Sequence, residues 1–280
     1  MDRYWILTMN EAVKDKEPPF DSGILQGVCG VIDEWFQIRA APFGEAGHFY
    51  QSNNWMKLIQ QFPPNRSATE LSQNIHRKIA DNFRNAKRRS TSKQLWRWKQ
   101  NIGGKLGVGE VGLERSIIGL NSNSQDWVNQ VPVASGLCGS NADRKRSIDL
   151  VRKRGDCEFD FIELKLDDKD PLFAAMEILC YGVLYLFCRR NNKDIPFAPN
   201  SPLRAAKFVH LCVLAPAKFY PAGERESLAK FETLLSRGVK EFAKDELDMD
   251  FRFDQFPNQF HWPTSKELRE ALENIQHIEP

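Results

Sequence analysis

The sequence predicts an α/β fold in which helices flank a central mixed sheet, and three observations carry that reading. Three short β-prone runs, residues 127–134, 147–151 and 159–166, are separated by Gly, Asn, Asp and charged residues. A long apolar segment opening on Pro171 follows, with proline well suited to a first helical turn. Phe208-Val-His-Leu-Cys-Val-Leu214 is then continuous, β-branched and too short for a helix, the pattern of a fully buried strand.

Before residue 67 there is little periodic order. Pro18-Pro19 and Pro63-Pro64 mark loops, and segments 4–9, 28–38 and 55–62 read equally as strand or helix. Ser67-Ala68-Thr69-Glu70 has the form of a capping box, in which the Ser and Glu side chains satisfy backbone donors that a helix start leaves orphaned. Leu71, Ile75, Ile79 and Phe83 then recur every four residues along one face. After a glycine-rich stretch at 103–112, Leu113, Ile117 and Leu120 form a short helical stripe, with Glu110 and Glu114 one turn apart beside it. The three β-prone runs are expected as antiparallel neighbours. Beyond the buried strand, Leu228, Phe231, Leu235, Val239 and Phe242 form the inner face of an amphipathic helix over 224–244, and Thr264-Ser-Lys-Glu267 caps a last one. This order divides the chain into an N-terminal accessory region, 1–102, and a main domain, 103–280.

With 41% hydrophobic and 27% charged residues, the 280-residue chain has the composition of a packed soluble protein. The apolar run 172–188 is short for a membrane span and contains Glu177, so it reads as a core helix. Six cysteines without C-x2-C spacing, in a chain that opens without a secretory pattern, point to reduced thiols and the cytoplasm. G-x-S-x-G and H-E-x-x-H are absent, which argues against α/β serine hydrolases and zinc proteases. Gly107, Gly109 and Gly112 match G-x-G-x-x-G, but Trp96-Arg-Trp-Lys-Gln precedes them where a dinucleotide site needs an apolar strand. Leu106 after Gly104-Lys105 likewise fails the P-loop pattern.

The net charge is only +2, yet it is unevenly spread. Residues 75–105 hold ten Lys or Arg against one acid, Asp81, whereas 241–280 hold ten acids against four bases. Arg88, Arg89, Lys93 and Arg97, interleaved with Trp96 and Trp98, are candidates for phosphate contact and base stacking, or else a solvated face beside two core tryptophans.

Phe161-Ile-Glu-Leu-Lys-Leu166 carries the chemistry. On a strand, alternation points Glu163 and Lys165 to one face and Ile162, Leu164 and Leu166 to the other. Asp149, on the preceding strand, stands opposite them if a hairpin closes across residues 152–158. Two hard carboxylates suit Mg2+ or Mn2+, with the Leu164 carbonyl a third donor, and an ammonium beside them orients water, or deprotonates it if its pKa is lowered, and stabilises charge on a phosphoryl group. Glu177 is the one charge in an apolar helix and needs a polar partner, for which Lys165 is the candidate. Arg144 and Arg146 on one side of Asp149, and Arg152 and Arg154 on the other, are placed to hold phosphates flanking it.

Asp149, thirteen intervening residues and then Glu163-Leu164-Lys165 resemble the signature of the PD-(D/E)xK nuclease superfamily, with Ile148 where the name has proline. The resemblance covers about 105 residues. It implies a restriction-endonuclease-like αβββαβ core, Mg2+- or Mn2+-dependent hydrolysis of DNA phosphodiesters, RNA being a further option, and roles such as restriction, repair or defence. It implies Asp149, Glu163 and Lys165 as catalytic residues, the first two as metal ligands, and a further glutamate on the first core helix, Glu114 or Glu110. RecB-type exonucleases in this superfamily carry Gln-x-x-x-Tyr on the helix after the last catalytic strand. Here Glu177 and Tyr181 keep the spacing with a different first residue, and are read as site support. A nuclease-fold protein that only binds nucleic acid is the alternative, and a homodimer is compatible with either.

Overall fold

A mixed sheet organises the protein. In this computed structural model, which describes residues 22–37, 49, 55–60, 66–86, 95–102, 109–138, 146–166, 170–260, 262 and 265–278, the strands are β1 (Trp127–Pro132), β2 (Ser147–Gly155), β3 (Glu158–Leu164), β4 (Phe208–Pro216), β5 (Asp248–Phe256) and β6 (Gln276–His277). They lie side by side in that order. The β1, β2 and β3 strands are antiparallel neighbours, β4 runs parallel to β3, β5 parallel to β4, and β6 antiparallel to β5. The α-helices are α1 (Val28–Trp35), α2 (Trp55–Gln60), α3 (Ala68–Asn85), α4 (Glu110–Leu120), α5 (Pro171–Arg190), α6 (Arg225–Ala243) and α7 (Ser265–Glu273). From α4 to β4 the order is therefore α-β-β-β-α-β.

Local sequence accounts for most of these boundaries. The Ser67 hydroxyl caps α3 by accepting from the Thr69 N–H at 3.1 Å. Helix α5 begins on Pro171, with the Asp170 carboxylate accepting from the Phe173 N–H at 2.8 Å. Although α5 is long and apolar enough to cross a membrane, 89% of its most apolar window is buried inside the protein. Segments 28–38 and 55–62, open between strand and helix on sequence, are helical at α1 and α2.

Two expectations are corrected. Arg152-Lys153-Arg154 was expected in the turn, but β2 continues through it to Gly155, and the connection to Glu158 is tight. The extension is held by β3, where Asp160 pairs with Arg152 in register and takes an ion pair from Arg154. Strand β5 was not expected at all, although Met249, Phe251 and Phe253 alternate with Asp250, Arg252 and Asp254 at the period of a strand.

Strand alternation sorts the core. Val151, Phe159, Phe161, Leu211 and Phe251 lie in the larger apolar cluster with α3, α5 and α6, while Leu150, Ile162, Leu164 and Leu214 lie in a second cluster with α4 and α7. Residues from both sides of position 102 share the larger cluster. Trp96 belongs to it, fully buried and stacked near Phe161 with 6.4 Å between ring centroids, so the option that it stacks on exposed bases fails. Among the described residues, which include all six cysteines, no disulfide forms.

Candidate active site

The site is built where β2, β3 and α5 meet on the α5 side of the sheet. The β2–β3 register pairs Leu150 with Ile162 and Val151 with Phe161. One step further brings Asp149 opposite Glu163, on the face that Val151 and Phe161 share. The two strands are tied there by a side chain, since the Leu164 N–H donates to Asp149 Oδ2 at 3.0 Å. Glu163 is 4% exposed, on the third of six strands, and its Oε1 lies 2.8 Å from Lys165 Nζ.

Glu110, the first residue of α4, reaches the same place. Its Oε1 accepts from the Leu166 N–H at 3.2 Å, and its Oε2 stands 3.9 Å from Lys165 Nζ. Glu177 approaches from α5, where the Tyr181 hydroxyl donates to its Oε1 at 2.8 Å. Burial raises the Tyr181 hydroxyl pKa, as do the charges of Glu177 and Glu163, whereas Arg146 lowers it. Among the described arginines flanking Asp149, Arg146 is thus the one whose charge is felt at the α5 side.

Among the described residues one ammonium faces an excess of carboxylates, and the shifts of Asp149, Glu163 and Lys165 reflect it. Burial raises the Asp149 pKa to about 7, with Glu177 and Glu114 adding to the rise and Lys165 and the Leu164 N–H opposing it. Burial, then the charges of Asp149 and Glu177, hold Glu163 well above the carboxylate range despite its ion pair. For Lys165, burial pulls downward, but Glu163, Glu177, Asp149 and Glu110 together outweigh it and raise the pKa. In the metal-free protein Lys165 is thus held in its charged form, the opposite of the lowered pKa on which a role as base depends.

Glu114 is held elsewhere. Its carboxylate, 3% exposed, accepts from Asn129 Nδ2 and Gln130 Nε2, each at 2.5 Å. Ser147 donates in turn to Gln130 Oε1 at 2.9 Å, which links Glu114 to the start of the strand bearing Asp149. Burial raises the Glu114 pKa against these amides and Arg115. Arg152 and Arg154 do not bracket the site: alternation points them, with Leu150, to the opposite face of the sheet. Arg97 is half-buried with its Nε enclosed. Arg88, Arg89, Lys93 and Arg144 lie outside the described residues.

No protein-family model, curated protein or solved structure matches the chain.

The donor set suits a hard divalent cation. Asp149 and Glu163 offer carboxylate oxygens whose negative charge Lys165 alone does not balance. Among the described residues, no three His, Cys, Asp or Glu side chains form a ready-made cage. Mg2+ does not require one, because it commonly takes one or two carboxylates and completes its shell with water and substrate phosphate oxygens.

Proposed function

We propose that the protein is a Mg2+- or Mn2+-dependent nuclease of the PD-(D/E)xK type that hydrolyses phosphodiester bonds of DNA. The observation that carries this reading is the convergence of Asp149 and Glu163 on one face of a central hairpin, with Lys165 2.8 Å from Glu163. The α-β-β-β-α-β order, with three antiparallel strands followed by a parallel one, supports the restriction-endonuclease-like core.

Asp149 and Glu163 would hold the cation, which supplies Lewis-acid polarisation of the phosphate and a more acidic water. Lys165, locked in its charged form, stabilises negative charge growing on the phosphoryl oxygens and orients the attacking water. Glu163 and Glu110 fix the direction of that ammonium. Glu177 and Tyr181 close the site from α5. Glu114 acts through Gln130 and Ser147 as a positioning residue for β2.

A second reading, a DNA-binding module without catalysis, draws on the same 2.8 Å contact, because Lys165 already neutralises Glu163. Incubating plasmid and single-stranded DNA with the protein and Mg2+ or Mn2+ separates the two. A nuclease loses cleavage in Asp149→Ala and in Lys165→Ala, whereas a binding module retards DNA in a salt-dependent way and cuts none of it. Cleavage that persists in both variants refutes the assignment of the site.

A further inference from the structure

The opposite face of the sheet carries a concavity. A groove of about 580 Å³ opens there against α7, floored by Ile162, Leu214, Leu272 and Ile275. Four arginines and three carboxylates line it, together with His277. Two of the arginines are already paired. Arg154 Nε lies 2.7 Å from the buried Asp160, and Arg252 reaches Asp160 and Asp254, each at 2.8 Å. His277 is likewise held, 2.8 Å from Glu232 and 3.6 Å from Asp254.

The other two arginines differ. Among the described residues, neither Arg152 nor Arg269 has a carboxylate within ion-pair distance. Arg152 lays its guanidinium over Trp127, 5.2 Å from the ring centroid. Arg269 projects from the exposed side of α7. The groove thus offers an apolar floor, Arg154 and Arg252 committed to Asp160 and Asp254, a third carboxylate at Glu273, and two guanidinium groups, those of Arg152 and Arg269, that no carboxylate among the described residues holds.

That combination selects its ligand. Guanidinium forks match phosphate oxygens in pairs, and an apolar floor between them accepts a flat ring. The volume lies within the range of small-ligand pockets, roughly 300–1,000 Å³, and is too small to enclose a nucleic-acid strand. We infer that this groove binds a nucleoside monophosphate, its phosphate gripped by Arg152 and Arg269 and its base laid against Ile162, Leu214 and Leu272. The inference is independent of the nuclease reading, since Asp149, Glu163 and Lys165 point to the other face of the sheet.

Calorimetric titration of the full chain with adenosine monophosphate in EDTA tests it, with adenosine and inorganic phosphate as separate probes. The nucleotide is expected to bind more tightly than either part. Arg269→Ala and Arg152→Ala should each weaken it by roughly tenfold or more, the usual worth of a charge-assisted contact. Arg269 is exposed on a helix, so its substitution reads out binding even if Arg152→Ala fails to fold. The inference is overturned if the nucleotide binds no better than phosphate, or if Arg269→Ala has no effect.

Discussion

Replacing Asp149 with Asn is expected to stabilise the metal-free protein near neutral pH while abolishing cleavage. The substitution keeps an oxygen that can accept from the Leu164 N–H, now 3.0 Å from Oδ2, and removes a charge that burial, Glu177 and Glu114 all oppose. Folding lifts this carboxyl from 3.8 to about 7. At about 1.4 kcal/mol per pH unit, ionising it costs the folded state at most about 4 kcal/mol. The side chain is half-buried and titrates together with its neighbours, so a gain of roughly 1–3 kcal/mol is the reasonable expectation. The sign follows from proton binding. The folded state holds this proton more tightly than the unfolded chain, so wild-type stability falls as pH rises from about 4 to about 7. Asn has no proton to lose, and its advantage should be absent at about pH 4 and full by about pH 8. Thermal unfolding of both proteins in EDTA at those two pH values measures it. A chain of this size should show a rise of roughly 2–4 °C per kcal/mol at the higher pH. Adding Mg2+ should raise the wild-type transition more than that of the variant. If Asp149→Asn melts below wild type at the higher pH without metal, the carboxylate is not destabilised by its surroundings and the case for a cation there fails.

Lys165→Met should lower cleavage by roughly two to three orders of magnitude, the usual loss when a transition-state charge stabiliser is removed. The same variant should unfold more readily at alkaline than at acid pH, because Asp149 and Glu163 lose their ammonium, and pH-dependent melting curves check this. Mn2+ affinity, followed by titration calorimetry, should tighten as pH rises through about 7, since the metal competes with the protons on Asp149 and Glu163. A flat profile would place the metal elsewhere. Gly238→Ala should destabilise the protein by about 1–3 kcal/mol in chemical unfolding, because its Cβ would fall 2.3 Å from Ala68 Cβ and 2.5 Å from the Ala68 carbonyl carbon, where α6 packs on α3. Gly182→Ala, on α5, should cost less, as it meets only the movable side chain of Leu211.

The order of elements from α4 to β4 was legible because each carries a local signal: the stripe of Leu113 and Ile117, the β-prone runs, Pro171 at a helix start, and the unbroken apolar run of β4. Alternation at period two was likewise enough to put Glu163 and Lys165 on one face. Strand β5 was equally legible from its alternating Phe and Asp, but the acidic excess of residues 241–280 drew the reading towards solvent. What the carboxylates accept from was not legible. Both Glu110 and Glu114 sit beside the same helical stripe, and only the packing of α4 against the sheet gives Glu114 to Asn129 and Gln130 and lays Glu110 against Leu166 and Lys165.

Local periodicity, then, determined which side chains share a face, because the backbone geometry of strand and helix repeats independently of context. Tertiary structure decided what charge those side chains carry and where the arginines go. The tight connection at Gly155–Glu158 put Arg152 and Arg154 into a strand and turned them to the far face of the sheet. The protonation of Lys165, Asp149 and Glu163 depends on burial and on charges from α4, β2 and α5 at once. Such sums run over distances in space, and no spacing along the chain encodes them.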